Sequence, residues 1–310
     1  NNQIIKFLDV KTGQVVRSTP ITIKQSESSM GFTADGNKLT VGKANKISIL
    51  HNQTGKVLRE LPTLSTFTPS YIPFKAIVNA SGSQQLFHQI EHNKAQLYSL
   101  HTGSGKVLKS IPLPKEVSRS IGSLVLTAMG LSPDGKKVTY ITTPRGSRKN
   151  TLYIYDVYKQ NIAKEIPLPD VIFSPVQPMV FSSDGRSVAL AGSPSMIVNL
   201  ESDEVLSIKL FSENVVFLAN NKKLVLLPYS NQLVVFDLAS GKKNSIALPI
   251  KSHCRAANYA GSLNKRYIAL GIRCSGQYKK GTPDSVLLLD ANSLKLIRTY
   301  SVASHSNENR

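Results

Sequence analysis

The chain has 310 residues and sets 38 Lys plus Arg against 19 Asp plus Glu, a formal net charge of +19. With 41% hydrophobic residues it can build a sizeable core, but it has no run of 18 apolar residues, which excludes a membrane-crossing helix. The cation excess points to acidic partners: nucleic acid, anionic glycan, anionic lipid head groups or acidic protein. The basic residues form no single long tract, which argues against a nucleic-acid-binding tail. The first residue is Asn1 and not Met, so the chain reads as a processed or trimmed product.

Taken in order, residues 3–19 read as two outer strands joined by a turn at Thr12-Gly13, with no inner pair before them. Four-strand units then follow at about 29–62, 75–114, 128–169, 178–210, 214–249 and 256–302. The clearest is 130–169. Its first strand ends at Ser132-Pro133-Asp134-Gly135, and Lys137 to Thr142 is the second. A basic loop, Thr143 to Asn150, leads to a third strand, Thr151 to Val157. A turn at Tyr158 to Asn161 leads to a fourth, Ile162 to Ile166. The first turn recurs at Ala34-Asp35-Gly36, Ala80-Ser81-Gly82, Ser183-Asp184-Gly185, Asn220-Asn221-Lys222 and Leu263-Asn264-Lys265. The second recurs around Thr12-Gly13, Thr54-Gly55, Ser104-Gly105 and Ser240-Gly241, with weaker copies near Ser202-Asp203 and Asn292-Ser293. Helix signals are weak, with Glu116 to Leu126 the one stretch that could form a turn or two. A tail, 303–310, is polar and too short for two more strands.

A period of roughly 40 residues of strand and turn is the signature of a β-propeller. The segment from Ser132 to Pro169 resembles the YVTN repeats of bacterial and archaeal propellers, relatives of the WD40-like class, although the chain has no Trp. That resemblance implies an all-β propeller over 1–302 as a single domain. The expected count is about seven four-stranded blades, the first incomplete at the N-terminus, with six plus an appended hairpin as the alternative.

Catalytic motifs are matched only by letter. His88-Gln89-Ile90-Glu91-His92 spells a zinc motif that works on a helix, whereas here it lies in a strand, where the two rings would stand about 13 Å apart. Thr102-Gly103-Ser104-Gly105-Lys106 lacks the upstream Gly and the following Ser or Thr of a phosphate loop, and reads as one more hairpin turn. Gly192-Ser193-Pro194-Ser195-Met196 is a loop and no nucleophile elbow. Asp35, Asp134 and Asp184 read as turn residues that cap their own backbone. No catalytic residue, metal ligand or cofactor is therefore assigned.

Cys254 and Cys274 stand at nearly matched distances, about nine and ten residues, from a turn near Leu263-Asn264. Antiparallel pairing would set them opposite each other within disulfide reach. Two unrelated thiols are the alternative. A disulfide implies an extracytoplasmic setting, periplasmic, secreted or surface-attached; a reducing cytoplasm goes with free thiols.

In a propeller the blade-connecting loops and the middle loops of each blade open on one face. There the sequence places Lys115, Arg119, Arg145, Arg148, Lys149, Lys251, Arg255, Arg273, Lys279 and Lys280, with Tyr71, Phe74 and Tyr278 among them. Arg beside aromatics is the composition of binding hot spots. The opposite face carries Lys38, Lys136, Lys137, Lys222, Lys223 and Lys265, mostly Lys at tight turns. The sequence therefore reads as a non-catalytic binding or scaffold module whose basic loop face meets an acidic protein or anionic surface, with nucleic acid a further candidate. A propeller enzyme or cofactor-bearing protein, of lactonase or quinoprotein-dehydrogenase type with its site at the channel mouth, is the competing class.

Overall fold

The structure, a computed structural model, describes residues 3–21, 29–32, 37–43, 46–62, 76–78, 84–91, 94–101, 107–112, 124–144, 149–170, 179–218, 221–228, 230–261, 266–274 and 284–302. The chain falls into two compact units, Asn1–Val176 and Gln177–Arg310.

The first unit opens on a two-stranded hairpin, β1 (Gln3–Leu8) with β2 (Val15–Ile21). Three antiparallel four-stranded sheets follow it. The first runs β3 (Ser29–Phe32), β4 (Lys38–Lys43), β5 (Lys46–His51), β6 (Val57–Pro62). The second runs β7 (Ala76–Val78), β8 (Gln84–Glu91), β9 (Lys94–His101), β10 (Val107–Pro112). The third runs β11 (Leu124–Leu131), β12 (Lys137–Pro144), β13 (Asn150–Asp156), β14 (Asn161–Leu168).

The second unit has three more four-stranded sheets. They are β15 (Met179–Phe181), β16 (Ser187–Leu190), β17 (Ser195–Asn199), β18 (Val205–Ile208), then β19 (Asn214–Phe217), β20 (Lys223–Leu227), β21 (Gln232–Asp237), β22 (Lys243–Ala247), and β23 (Cys254–Gly261), β24 (Tyr267–Cys274), β25 (Asp284–Asp290), β26 (Leu296–Val302). Within each sheet the strands pair in sequence order, and no helix occurs among the described residues.

Two expectations are corrected here. Among the described residues the strands do not supply seven four-stranded blades: Gln3–Ile21 forms a hairpin by itself, and the tally is four sheets in one unit and three in the other. The weak helix signal over Glu116 to Leu126 is also overturned at its end. Leu124, Val125 and Leu126 are strand, opposite Pro144, Thr143 and Thr142. A β-bulge between Leu126 and Ala128 lets β11 continue, so ladder bonding overrides local propensity.

The sheet β19–β22 shows why one polypeptide period serves the packing. Side chains alternate across a strand. Leu224, Leu226, Val234 and Phe236 go into a core shared with Ala189, Ala191 and Ile197 of the preceding sheet. Val225, Leu227, Leu233 and Val235 go into a second core with Ile268, Leu270, Ile272 and Leu287 of the following sheet. Middle strands are consequently buried on both faces, as in the eBBBBi pattern of β21, while the outermost β22 is almost wholly exposed. Each such buried aliphatic side chain contributes about 1.5–3 kcal/mol.

The first strands of successive sheets touch: β3 with β7 and β7 with β11 in the first unit, β15 with β19 and β19 with β23 in the second. The fourth strands, and β2 of the hairpin, are edges. Pro20, Pro62, Pro112 and Pro167 sit in β2, β6, β10 and β14, where a missing N–H is harmless and blocks further strand addition.

Candidate functional site

The turns come first, because they decide which residues are taken up by structure. In the turn after β11, the Ser132 hydroxyl donates to Asp134 Oδ1 at 2.7 Å, and Asp134 Oδ1 accepts the Lys136 N–H at 3.0 Å. The turn after β15 repeats this with Ser182 and Asp184, and Gly135 and Gly185 take φ of 72° and 70°. These two acids cap their own backbone, as the sequence indicates; Asp35 lies outside the described residues. Burial pushes the Asp134 carboxyl up, but the Ser132 hydroxyl, the Lys136 N–H and the charges of Lys136 and Lys137 outweigh it and hold it below the usual carboxylate range. The Ser182 hydroxyl does the same for Asp184.

The turns between third and fourth strands follow a second rule. Asp9, Asp156, Asn199, Asp237 and Asp290 each accept backbone N–H groups two or three residues on, and His51 Nδ1 accepts from Thr54. The residue four positions on has positive φ in every case: Gly13, Gln160, Asp203, Gly241, Leu294 and Gly55. Backbone and side-chain donors from Thr12, Ser240 and Ser293 hold the Asp9, Asp237 and Asp290 carboxyls below their ordinary value.

The Cys pair sits at the other kind of end. Cys254 opens β23 and Cys274 closes β24, and the two are direct antiparallel partners. They are disulfide-bonded, with Cα atoms 3.8 Å apart and a sequence separation of 20. The unequal spacing from the turn, nine residues against ten, is absorbed by a bulge between Ala256 and Asn258. Cys254 is buried among Leu218, Ala256 and Ile272, and Cys274 packs partly against the same core.

Around this bond the strand ends carry cations. Arg255 and Arg273 are the next pair in register. Lys251, two residues before the exposed His253, is exposed. Arg255 Nη1 lies 3.7 Å from Glu213 Oε1 at the start of β19, so part of its charge is compensated within the unit. Glu213 is a partner that spacing alone could not reveal, since it comes from the adjacent sheet. In the third sheet of the first unit, Lys149 is exposed just before β13. Leu124 pairs with Pro144 and Asn150 with Leu168, which puts Lys149 at the sheet end opposite the Lys136–Lys137 turn. Lys115, Arg119, Arg145, Arg148, Lys279, Lys280, Tyr71, Phe74 and Tyr278 lie outside the described residues.

The zinc-like motif is placed as the sequence reading expects: His88 to Glu91 belong to strand β8, and His92 lies outside the described residues. Thr102 to Lys106 also lies outside them. Ser195 is buried, its hydroxyl 2.6 Å from that of Ser212 and 3.3 Å from the Gly192 carbonyl, which makes it a structural link. Among the described residues no helix is long and apolar enough to cross a membrane.

No family model and no curated protein matches the chain. The likeness to YVTN and WD40-like repeats therefore rests on the repeat residues alone. Among solved structures, the chain is similar to Kuenenia stuttgartiensis hydrazine synthase, with a TM-score of 0.61 and 13% sequence identity over 91% of this chain and 90% of that one. At that identity the similarity speaks to architecture and not to chemistry. It places this chain among the all-β propellers.

Proposed function

We propose that the chain is a non-catalytic binding module whose blade-connecting and middle loops dock an acidic macromolecule, a protein or an anionic surface, outside a reducing cytoplasm. The observation that carries this is the set of basic residues at the loop ends of two sheets. In β23–β26, Lys251, Arg255 and Arg273 gather where β23 begins and β24 ends. In β11–β14, Lys149 stands at the end opposite Lys136 and Lys137. The turn ends are tied up by short-range caps, whereas the other ends carry longer connections and more Arg, whose planar fork suits carboxylate or phosphate. The disulfide supports an oxidising compartment. The turn acids are occupied by backbone caps, which leaves little for acid–base chemistry there.

The test uses immobilised poly-glutamate and heparin as acidic probes. Arg145, Arg148 and Lys149 are reversed to Glu in one variant, and Lys136, Lys137 and Lys222 in another. Both triple changes shift net charge by the same amount, so any difference reports position. The first variant should elute at clearly lower salt, with a flatter salt dependence, and the second should stay close to the parent. Equal losses would leave a diffuse charge effect and sink the reading.

A further inference from the structure

The Cys254–Cys274 bond has a neighbour that the disulfide itself does not use. His253 precedes Cys254 in sequence and is exposed, and its ring nitrogen and the two sulfurs lie within 4.8 Å of one another. We propose that reduction turns this strand end into a binding site for one thiophilic divalent cation of the zinc class, held by Cys254 Sγ, Cys274 Sγ and an imidazole nitrogen of His253.

A tetrahedral zinc ion has sulfurs about 2.3 Å and imidazole nitrogen about 2.0 Å away, so its ligand atoms stand about 3.8 Å or less apart. Reduction breaks the S–S bond and frees the two sulfurs to move apart to that separation, while the antiparallel register keeps the two cysteines face to face. Two thiolates balance a divalent cation, so a neutral site forms in a basic neighbourhood. Lys251 and Arg255 at the same sheet end favour the thiolate form that binding needs. Glu213 lies 3.7 Å from Arg255 and offsets part of that charge. Three protein ligands leave a fourth position for water or an external ligand, the pattern of an open site and not of a closed structural one.

The chemistry balances. A phosphine reductant takes oxygen from water and becomes its oxide, and the disulfide gains two electrons and two protons to give two thiols. Metal binding then releases those two protons as the thiolates ligate. The oxidised protein offers no thiolate and no such site, so metal uptake reads the redox state of this pair.

The experiment uses the full chain and Co²⁺ as the probe. Protein reduced with a phosphine and desalted without oxygen should bind one equivalent, with sulfur-to-cobalt charge-transfer absorption and the strong ligand-field bands of a tetrahedral ion. Unreduced protein should show neither. His253→Ala should bind at least about tenfold more weakly, since losing even an outer partner of a ligand costs that much. Far-UV circular dichroism of the reduced protein should keep its β-sheet signal. Absence of the charge-transfer band, unchanged affinity in His253→Ala, or loss of the β signal on reduction would each overturn the proposal.

Discussion

The two ends of the sheet β23–β26 are built by different means. At one end the Asp290 turn is closed by residues within four positions of each other: Asp290 Oδ1 accepts from Asn292 N–H, Ser293 N–H and the Ser293 hydroxyl, and Leu294 N–H returns to the Asp290 carbonyl. At the other end Cys254 and Cys274 meet from 20 residues apart, and Arg255 reaches Glu213 from another sheet. One end follows from local capping. The other exists only because a ladder brings distant residues into register, and it is the end that gathers cations and the disulfide. Chemistry collects where the constraint is long-range, because short-range caps consume the polar groups they use.

The largest effect should come from the shared middle of the sheet. Leu270 is fully buried between the two ends, and Leu270→Ala should cost about 2–5 kcal/mol by loss of apolar contact and an unfilled cavity. A denaturant midpoint would show it, and both ends should lose protection from hydrogen exchange together. Independent loss at one end would break the picture of a single cooperative sheet.

Next is the bond itself. Replacing Cys254 and Cys274 by Ser removes a covalent constraint on a short loop, and about 2–4 kcal/mol of stability should go with it. Thiol titration of the unreduced, denatured parent should detect no free thiol, which checks the pairing directly.

The turns should respond more mildly. Gly241 has φ of 67° with nothing within 4 Å of where a Cβ would stand, so Gly241→Ala tests backbone preference without a clash. It should destabilise by about 1 kcal/mol. The exposed Gln160, with φ of 57°, makes the converse test: Gln160→Gly should gain a few tenths to about 1 kcal/mol. Neither change should alter binding to poly-glutamate.

The smallest effect is with acid. Asp290 and Asp237 are held below their ordinary carboxylate value by hydrogen bonds from Ser293 and Ser240. A group whose pKa is depressed in the fold adds stability above its unfolded pKa and loses it as pH falls through the folded one. Stability should thus slope downward only on the acid side of the usual carboxylate range. Asp290→Asn keeps a cap that does not titrate, so the slope in a pH series of urea midpoints should become shallower.

The sequence by itself determined the sheets. Asp-Gly and Thr-Gly or Ser-Gly turns at a steady period set where strands begin and end, and period-two alternation, as in Lys223–Leu227, sorted each strand between two cores. Those are local properties, carried by φ preference, side-chain caps and alternation. The cysteine pairing was legible for the same reason, since distance from a turn fixes register to within one bulge. Only the tertiary structure decided the rest. The hairpin at Gln3–Ile21 was legible as two strands, but the blade count was not, because whether such a hairpin gains inner strands depends on partners far along the chain. The Arg255–Glu213 contact and the Ser183 hydroxyl to Asn221 bond between turns of adjacent sheets were likewise invisible to spacing. Each joins residues whose separation in sequence carries no periodic signal, so packing of one sheet on the next had to bring them together.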